Sequence, residues 1–211
     1  MMRRGSGATS ARTWTVTALA VVALVGCGGG DDSEQGLSLE LAPVSGDVQV
    51  REPGSEDFAV LGETGRYPVG TEVDASDGVV RLTSDRPEGD TQSGEFSDGQ
   101  FQIAQEKGSA TVTLRLTGGD LSQCETKAAR RDDSTVGGPE IRHLFADAEG
   151  SFETEGRFAT ASVRGTKWKL VDACFGTLTD VASGEVTVTD KIRDREVEVG
   201  AGEDLWVARK R

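Results

Sequence analysis

Apolar and polar residues alternate with a period of two along most of this chain. Val48-Gln49-Val50, Val80-Arg81-Leu82, Phe101-Gln102-Ile103, Val112-Thr113-Leu114-Arg115-Leu116, Ala161-Ser162-Val163, Trp168-Lys169-Leu170, Val186-Thr187-Val188 and Val197-Glu198-Val199 each set apolar side chains on one side of an extended backbone. Successive side chains of a strand point to opposite faces, so each run predicts a strand with one face in a core and the other in water. Between the runs stand Asp77-Gly78, Asp98-Gly99, Gly118-Gly119 and Ser183-Gly184, dipeptides that supply the positive φ of tight hairpin turns. The predicted class is all-β, arranged as a solenoid or a sandwich-like domain.

One long stretch, 122–139, lacks the alternation. Its Lys127-Ala128-Ala129-Arg130-Arg131 suits a helical turn that Gly137-Gly138-Pro139 would end, and the expectation is a mobile loop pinned at Cys124. A weak internal echo links Val44-Ser45-Gly46-Asp47-Val48-Gln49-Val50 to Ala182-Ser183-Gly184-Glu185-Val186-Thr187-Val188. It predicts a repeated supersecondary unit, of the kind that buries its apolar face on the next copy.

The N-terminal segment follows different rules. Arg3, Arg4 and Arg12 precede an uncharged apolar run over 16–25, the pattern of a secretory signal peptide. The run falls short of the roughly 20 apolar residues that a membrane-spanning helix needs. It closes on Leu24-Val25-Gly26-Cys27, which resembles the lipobox of bacterial lipoproteins, whose cysteine is acylated and becomes the first residue after cleavage. An ordinary signal peptide with Cys27 as an incidental thiol explains that spacing less well. The expected organisation is a lipoprotein signal peptide over 1–26, a lipidated Cys27 with a polar tether over 27–36, and an all-β domain over 37–211. Residues 28–36 hold nothing apolar to bury, and nine flexible residues reach roughly 16 Å, so the domain should float just off the bilayer.

Charge narrows the partners. Removal of the leader would leave 185 residues with 20 basic against 36 acidic side chains. Such a surface repels nucleic acid and anionic headgroups, so nucleic-acid binding is not expected and a cationic partner is favoured. With Cys27 lipidated, Cys124 and Cys174 remain as an even pair in an oxidising compartment, where a bridge forms and persists. The alternative, metal ligands or a catalytic thiol, lacks a CxxC spacing and has His143 as the only histidine. No metal and no cofactor is predicted.

Several segments together resemble FecR-like domains of high-GC Gram-positive bacteria. They are Val44-Ser45-Gly46-Asp47-Val48, Gly70-Thr71-Glu72-Val73 leading to Gly78-Val79-Val80-Arg81-Leu82, and Phe96-Ser97-Asp98-Gly99-Gln100-Phe101. The more specific part runs from Val163-Arg164-Gly165-Thr166 and Trp168 through Asp172-Ala173-Cys174-Phe175-Gly176-Thr177 to Val188. The resemblance implies a solenoid-like extracytoplasmic domain and, in iron-uptake systems, a membrane regulator that relays a signal to a sigma factor. Here only about a dozen residues precede the apolar run and a lipobox stands in place of a spanning helix, so the expectation is the displayed domain without direct transmembrane signalling.

Candidate chemistry is sparse. Arg164-Gly165-Thr166 is a possible ligand-contacting turn, since arginine offers a fork for carboxylates; the structural alternative makes Gly165 a bulge, Thr166 a local backbone partner and Arg164 the mate of Asp172. Trp168 and Trp206 are expected in the core. His143, the one candidate general base near neutral pH, has no nucleophile signature beside it. The acid pairs Asp31-Asp32, Asp132-Asp133 and Asp74 with Asp77 lack calcium-loop spacing. The leading expectation is a non-enzymatic lipoprotein, anchored to the membrane by its lipid, whose domain binds an unidentified envelope protein or ligand. The rivals are a hydrolase acting on the cell wall through acidic residues and His143, and a purely structural surface protein.

Overall fold

Two long strands, β1 (Ser38–Arg51) and β4 (Glu72–Asp85), run antiparallel to one another over most of their length. Their register slips twice, leaving Val44 and Val48 without partners on either side of the facing pair Gly46 and Gly78. Bulges of this kind bend the strand that carries them and sharpen its twist. Gly46 has φ 66°, and a Cβ there would lie 2.7 Å from the Gly78 Cα. A Cβ on Gly78 would lie 2.7 Å from the Asp47 carbonyl oxygen and 2.8 Å from that of Ser45. The two backbones pass so closely that only glycine fits on both sides. On its other edge β4 changes neighbours at this crease: residues 72–74 pair with β6 (Gln100–Gln105), and residues 79–85 with β5 (Thr91–Ser97).

The computed structural model describes residues 37–125 and 137–210. The leader, Cys27, the tether, the helical turn expected over 127–131, Asp31-Asp32 and Asp132-Asp133 lie outside them. From the crease the sheet extends two ways. One arm continues from β6 through β7 (Val112–Leu116), β9 (Phe152–Glu155), β10 (Ala159–Val163) and β13 (Glu185–Asp190) to β14 (Arg195–Gly200). The other continues from β5 through β8 (Glu140–Glu149), β11 (Thr166–Ala173) and β12 (Gly176–Ser183) to β15 (Asp204–Ala208). Short strands β2 (Ala59–Val60) and β3 (Gly65–Pro68) line the outer edge of β1.

The twelve strands of this path curl into a nearly closed, barrel-like sheet whose last members, β14 and β15, follow one another in sequence yet share no ladder. Every pairing is antiparallel except that of β7 with β9. A β-solenoid stacks its coils in parallel, so the all-β class holds while the solenoid arrangement does not, and the strands form one continuous barrel-like sheet. The expected repeat also dissolves. Gly46 sits within a continuing strand against Gly78, whereas Gly184, at φ 80°, forms the turn from β12 to β13.

Both arms turn their apolar faces inward. Phe96 stacks obliquely on Phe101 and Phe152, with ring centroids 5.7 and 5.6 Å apart, and Trp168 is fully buried beside them in one core. Its indole N–H donates to the Thr154 hydroxyl at 2.8 Å, which meets the polar need of a buried tryptophan. Trp206 departs from expectation: it is half-buried on the outer side of β15, against Gly137 and Gly176, where a Cβ on Gly176 would collide with its ring.

All eight alternating runs lie within strands. Asp98-Gly99 forms the β5–β6 turn, with Asp98 at φ 59°. Asp77-Gly78 does not turn the chain, because Gly78 is the crease of β4. Three strands lacked a readable pattern for a physical reason. In β5 the inward positions are Gln92, Gly94 and Phe96; a Cβ on Gly94 would lie 2.6 Å from that of Ala148, so a neighbour occupies the space. In β9 and β12 threonines take inward positions, at Thr154, Thr177 and Thr179.

Cys124, in the 3-10 turn Leu121–Glu125, bridges to Cys174 in the β11–β12 turn, with a Cα–Cα separation of 5.1 Å. The same turn holds the far end of that connection: the Cys174 amide donates to Pro139 O and the Phe175 amide to Gly137 O, each at 3.0 Å. The loop expected to be pinned at one end is thus fixed at both described ends.

Replacing Gly78 by alanine should cost about 2 kcal/mol or more, read as a lowered denaturant midpoint, because the new Cβ meets backbone oxygens that cannot yield. Gly62→Ala, in open space, is the near-neutral control. Replacing Cys124 and Cys174 together by serine should lower stability by about 2–4 kcal/mol in the same measurement.

Candidate functional site

Strands β7, β9, β10, β13 and β14 lie side by side, and their outward side chains form polar rows across the domain. Thr113, Glu153, Ser162, Thr187 and Glu198 are register partners in one row; Arg115, Glu155, Thr160, Thr189 and Glu196 form the next. Inward neighbours such as Leu114, Phe152, Ala161 and Val188 are buried, which fixes the facing of this polar set. A groove of about 490 Å3 opens over the first row, lined by Ser151, Glu153, Ser162, Arg164, Thr166, Glu185, Thr187 and Glu196 among others. A second depression, of about 540 Å3, adjoins it through the shared residues Thr111 and Glu153 and reaches Arg115 and Glu155.

Glu153 and Glu155 sit two residues apart on the same face of β9 in unlike surroundings. Burial pushes the Glu153 carboxyl above its ordinary value, against the weaker pull of the Ser162 hydroxyl, which donates at 3.4 Å. Burial acts on Glu155 too, but Lys191 at 2.7 Å and Arg115 at 2.8 Å outweigh it and hold that carboxyl below the usual range. Among the described residues Glu153 has no ion pair, and neither do Glu185, Glu196, Glu198 or Arg164. The groove therefore carries one half-buried, poorly compensated carboxylate and a rim of free charge.

The sequence-derived candidates separate here. Arg164 and Thr166 both line the groove, Arg164 as an exposed side chain at the β10–β11 turn. Thr166 is buried, and its hydroxyl donates to Glu185 O at 3.0 Å, so it ties the turn to the start of β13, 19 residues on, and not to the local backbone as the structural alternative expected. Gly165 stands in the turn at φ 126° and is no bulge in a ladder. Arg164 does not pair with Asp172. That carboxylate is buried and accepts from Arg142 at 3.0 Å, from the Thr177 hydroxyl at 2.6 Å and from the Arg157 amide, which anchors the β9–β10 turn inside the barrel. His143 lies elsewhere, on β8 in a separate depression with Asp98 and Gln100, where its Nδ1 meets Glu140. Asp74 accepts from the Gln100 side chain and the Ser76 amide. No metal-binding cluster of His, Cys, Asp or Glu occurs among the described residues, and no helix there is long and apolar enough to cross a membrane.

Glu153, Glu185 and Glu196 were not singled out from sequence. Phe152-Glu153-Thr154-Glu155 does alternate, but with a threonine inside, and nothing in the chain order says that β9 lies beside β10 and β13. What the fold and groove define is a nearly closed all-β domain, bridged once by a disulfide, that presents a charged polar groove on its outer face. Searches of known protein families, of curated proteins and of solved structures find no match to this chain.

Two pH dependences follow. A carboxyl raised on folding adds stability below its unfolded value, about 4.3 for glutamate, and that contribution is lost as pH rises through the raised folded value. Glu153→Gln should accordingly raise Tm at neutral pH, and the gain should vanish in acid. Asp190 shows the opposite sign: burial opposes its ionisation, but bonds from the Arg193 side chain and the Ile192 and Arg193 amides hold its carboxyl below the usual range. Its contribution is present above the unfolded value, about 3.9, and lost as pH falls through the lowered one, so Asp190→Asn should depress Tm at neutral pH and progressively less in acid.

Proposed function

We propose that this chain is a lipoprotein with a FecR-like domain, held on the outer face of the cell membrane through Cys27, and that it works as a non-enzymatic binding or interaction module, associated with envelope signalling, for a protein or ligand of the cell envelope. The observation that carries the reading is the groove: Arg164, Glu185 and Glu196 surround it without ion-pair partners among the described residues, and Glu153 is half-buried in it with the Ser162 hydroxyl as its hydrogen-bond partner. The exposed charges are hydrated at no cost and free to pair with a ligand, whereas burial disfavours the Glu153 carboxylate until a partner compensates it. The run Leu24-Val25-Gly26-Cys27 supports the anchor. The Cys124–Cys174 bridge supports a compartment where disulfides persist. The FecR-like assignment rests on the sequence resemblance over 44–208.

A cell-wall hydrolase remains the second reading because one observation favours it. Glu153 and Glu155 lie side by side with carboxyls shifted in opposite directions, as an acid and a base require. His143 has no place in that version, since it lines neither of the depressions that hold Glu153.

Mass spectrometry of the mature protein should find diacylglycerol on Cys27; recovery from the cytosol with the leader intact would remove the anchoring claim. Arg164→Ala should leave Tm unchanged and weaken crosslinking to an envelope partner. Release of sugars or peptides from purified cell wall by the wild type, abolished by Glu153→Gln, would replace the binding reading by the hydrolytic one.

A further inference from the structure

The barrel-like sheet leaves one edge open beside the groove. β14 pairs only with β13, and among the described residues no backbone hydrogen bond reaches the other edge of 195–199. The alternation of its ladder can be assigned. Gly200 donates its N–H to the Glu203 carboxylate and accepts from the Glu203 amide at 3.0 Å, so both its backbone groups face away from β13. Across the ladder, the carbonyl of its partner Glu185 is likewise turned away, taking the Thr166 hydroxyl. Antiparallel pairs alternate between bonded and non-bonded, so Glu198 and Glu196 also present N–H and C=O to the open edge. Their side chains project from the outer face of the same strand, and Glu196 lines the groove.

We propose that an extended, lysine- or arginine-rich peptide segment of a partner protein adds to β14 as a further strand, placing its basic side chains against Glu196 and Glu198. Strand addition draws affinity from main-chain hydrogen bonds and selectivity from what flanks alternate side chains. Here the flanks are acids with no cation of their own. They repel a second copy of the same edge and reject acidic strands, which is how a charged edge blocks aggregation while admitting an opposite charge. The proposal rests on the binding reading above and specifies its mode.

The test uses the mature lipoprotein in detergent micelles and a fluorescent peptide that alternates lysine with valine, read by anisotropy. Two control peptides carry glutamate in place of lysine, or N-methyl groups on alternate amides. The lysine peptide should bind, and either control should lose about tenfold or more, the worth of one or two charge-assisted or backbone hydrogen bonds. Glu196→Pro should weaken binding further than Glu196→Gln, because the edge-facing N–H it removes is not used by β13; both variants should keep the wild-type circular dichroism spectrum. If Glu196→Pro unfolds the domain, the N-methyl peptide alone decides between strand addition and plain attraction. Equal binding of the methylated peptide, or a β14-mediated dimer that the peptide fails to displace, overturns the proposal. An envelope partner crosslinked equally by wild type and Glu196→Pro would sink strand addition and leave the binding reading standing. Absence of any crosslinked partner would sink both.

Discussion

The close approach of β1 and β4 at Gly46 and Gly78 is the constraint from which the rest of the architecture follows. One hairpin supplies the edge for both arms because β4 can bend there, giving its first residues to β6 and its later ones to β5. Side chains at the crease would hold the backbones apart, straighten the strands and leave two flat sheets with nothing to fold against. With glycine on both strands, a bulge at Val44 of β1 and another at Ala75-Ser76 of β4, the bend brings Phe96 from one arm onto Phe101 and Phe152 from the other. Burial of those rings and of Trp168 then supplies the main apolar driving force of the domain.

Polar groups inside the barrel fix what hydrophobic contact leaves free. Gln92 donates to the Ser84 hydroxyl and to Ala110 O and accepts from the Ser151 amide, stitching three chain segments at one end. Asp172 does the same near the disulfide, with Arg142, Thr177 and the Arg157 amide. Each is satisfied in all directions that the fold offers, which is the condition under which a buried polar group is tolerated. The Gln92 hub also holds Ser151, which lines the outer groove, so one interior contact reaches the exposed site.

The outer face is organised by the opposite logic. Several of its cross-strand ion pairs are complete, as at Arg81 with Glu95 and Lys167 with Asp147, and exposed pairs of this sort contribute little to stability. Around β9, β13 and β14 the pairing is partial: Glu155 and Asp190 have cations, whereas among the described residues Glu153, Glu185, Glu196 and Glu198 have none. These unpaired acids border a shaped surface with an unpaired strand edge next to it. That coincidence ties the proposed cationic partner to a particular strand and not to net charge in general.

The sequence by itself determined that the domain is built of strands, which residues of eight of them face inward, and that Cys124 and Cys174 pair. Period-two alternation and cysteine arithmetic are local signals, carried by residues next to one another or by a count. Tertiary structure alone decided that Asp77-Gly78 continues a strand, since its glycine answers another glycine 32 positions earlier, at Gly46. It alone decided that Gln92, Gly94 and Thr154 are core positions, because polar partners from three segments, the Ala148 methyl and the Trp168 indole N–H respectively complete them. The groove was half visible: Arg164 and Thr166 stood out as a turn, but Glu153, Glu185 and Glu196 come together only because β9, β10, β13 and β14 lie side by side. Strand order is set by long-range pairing and by the bend at the crease, and no periodicity along the chain encodes it.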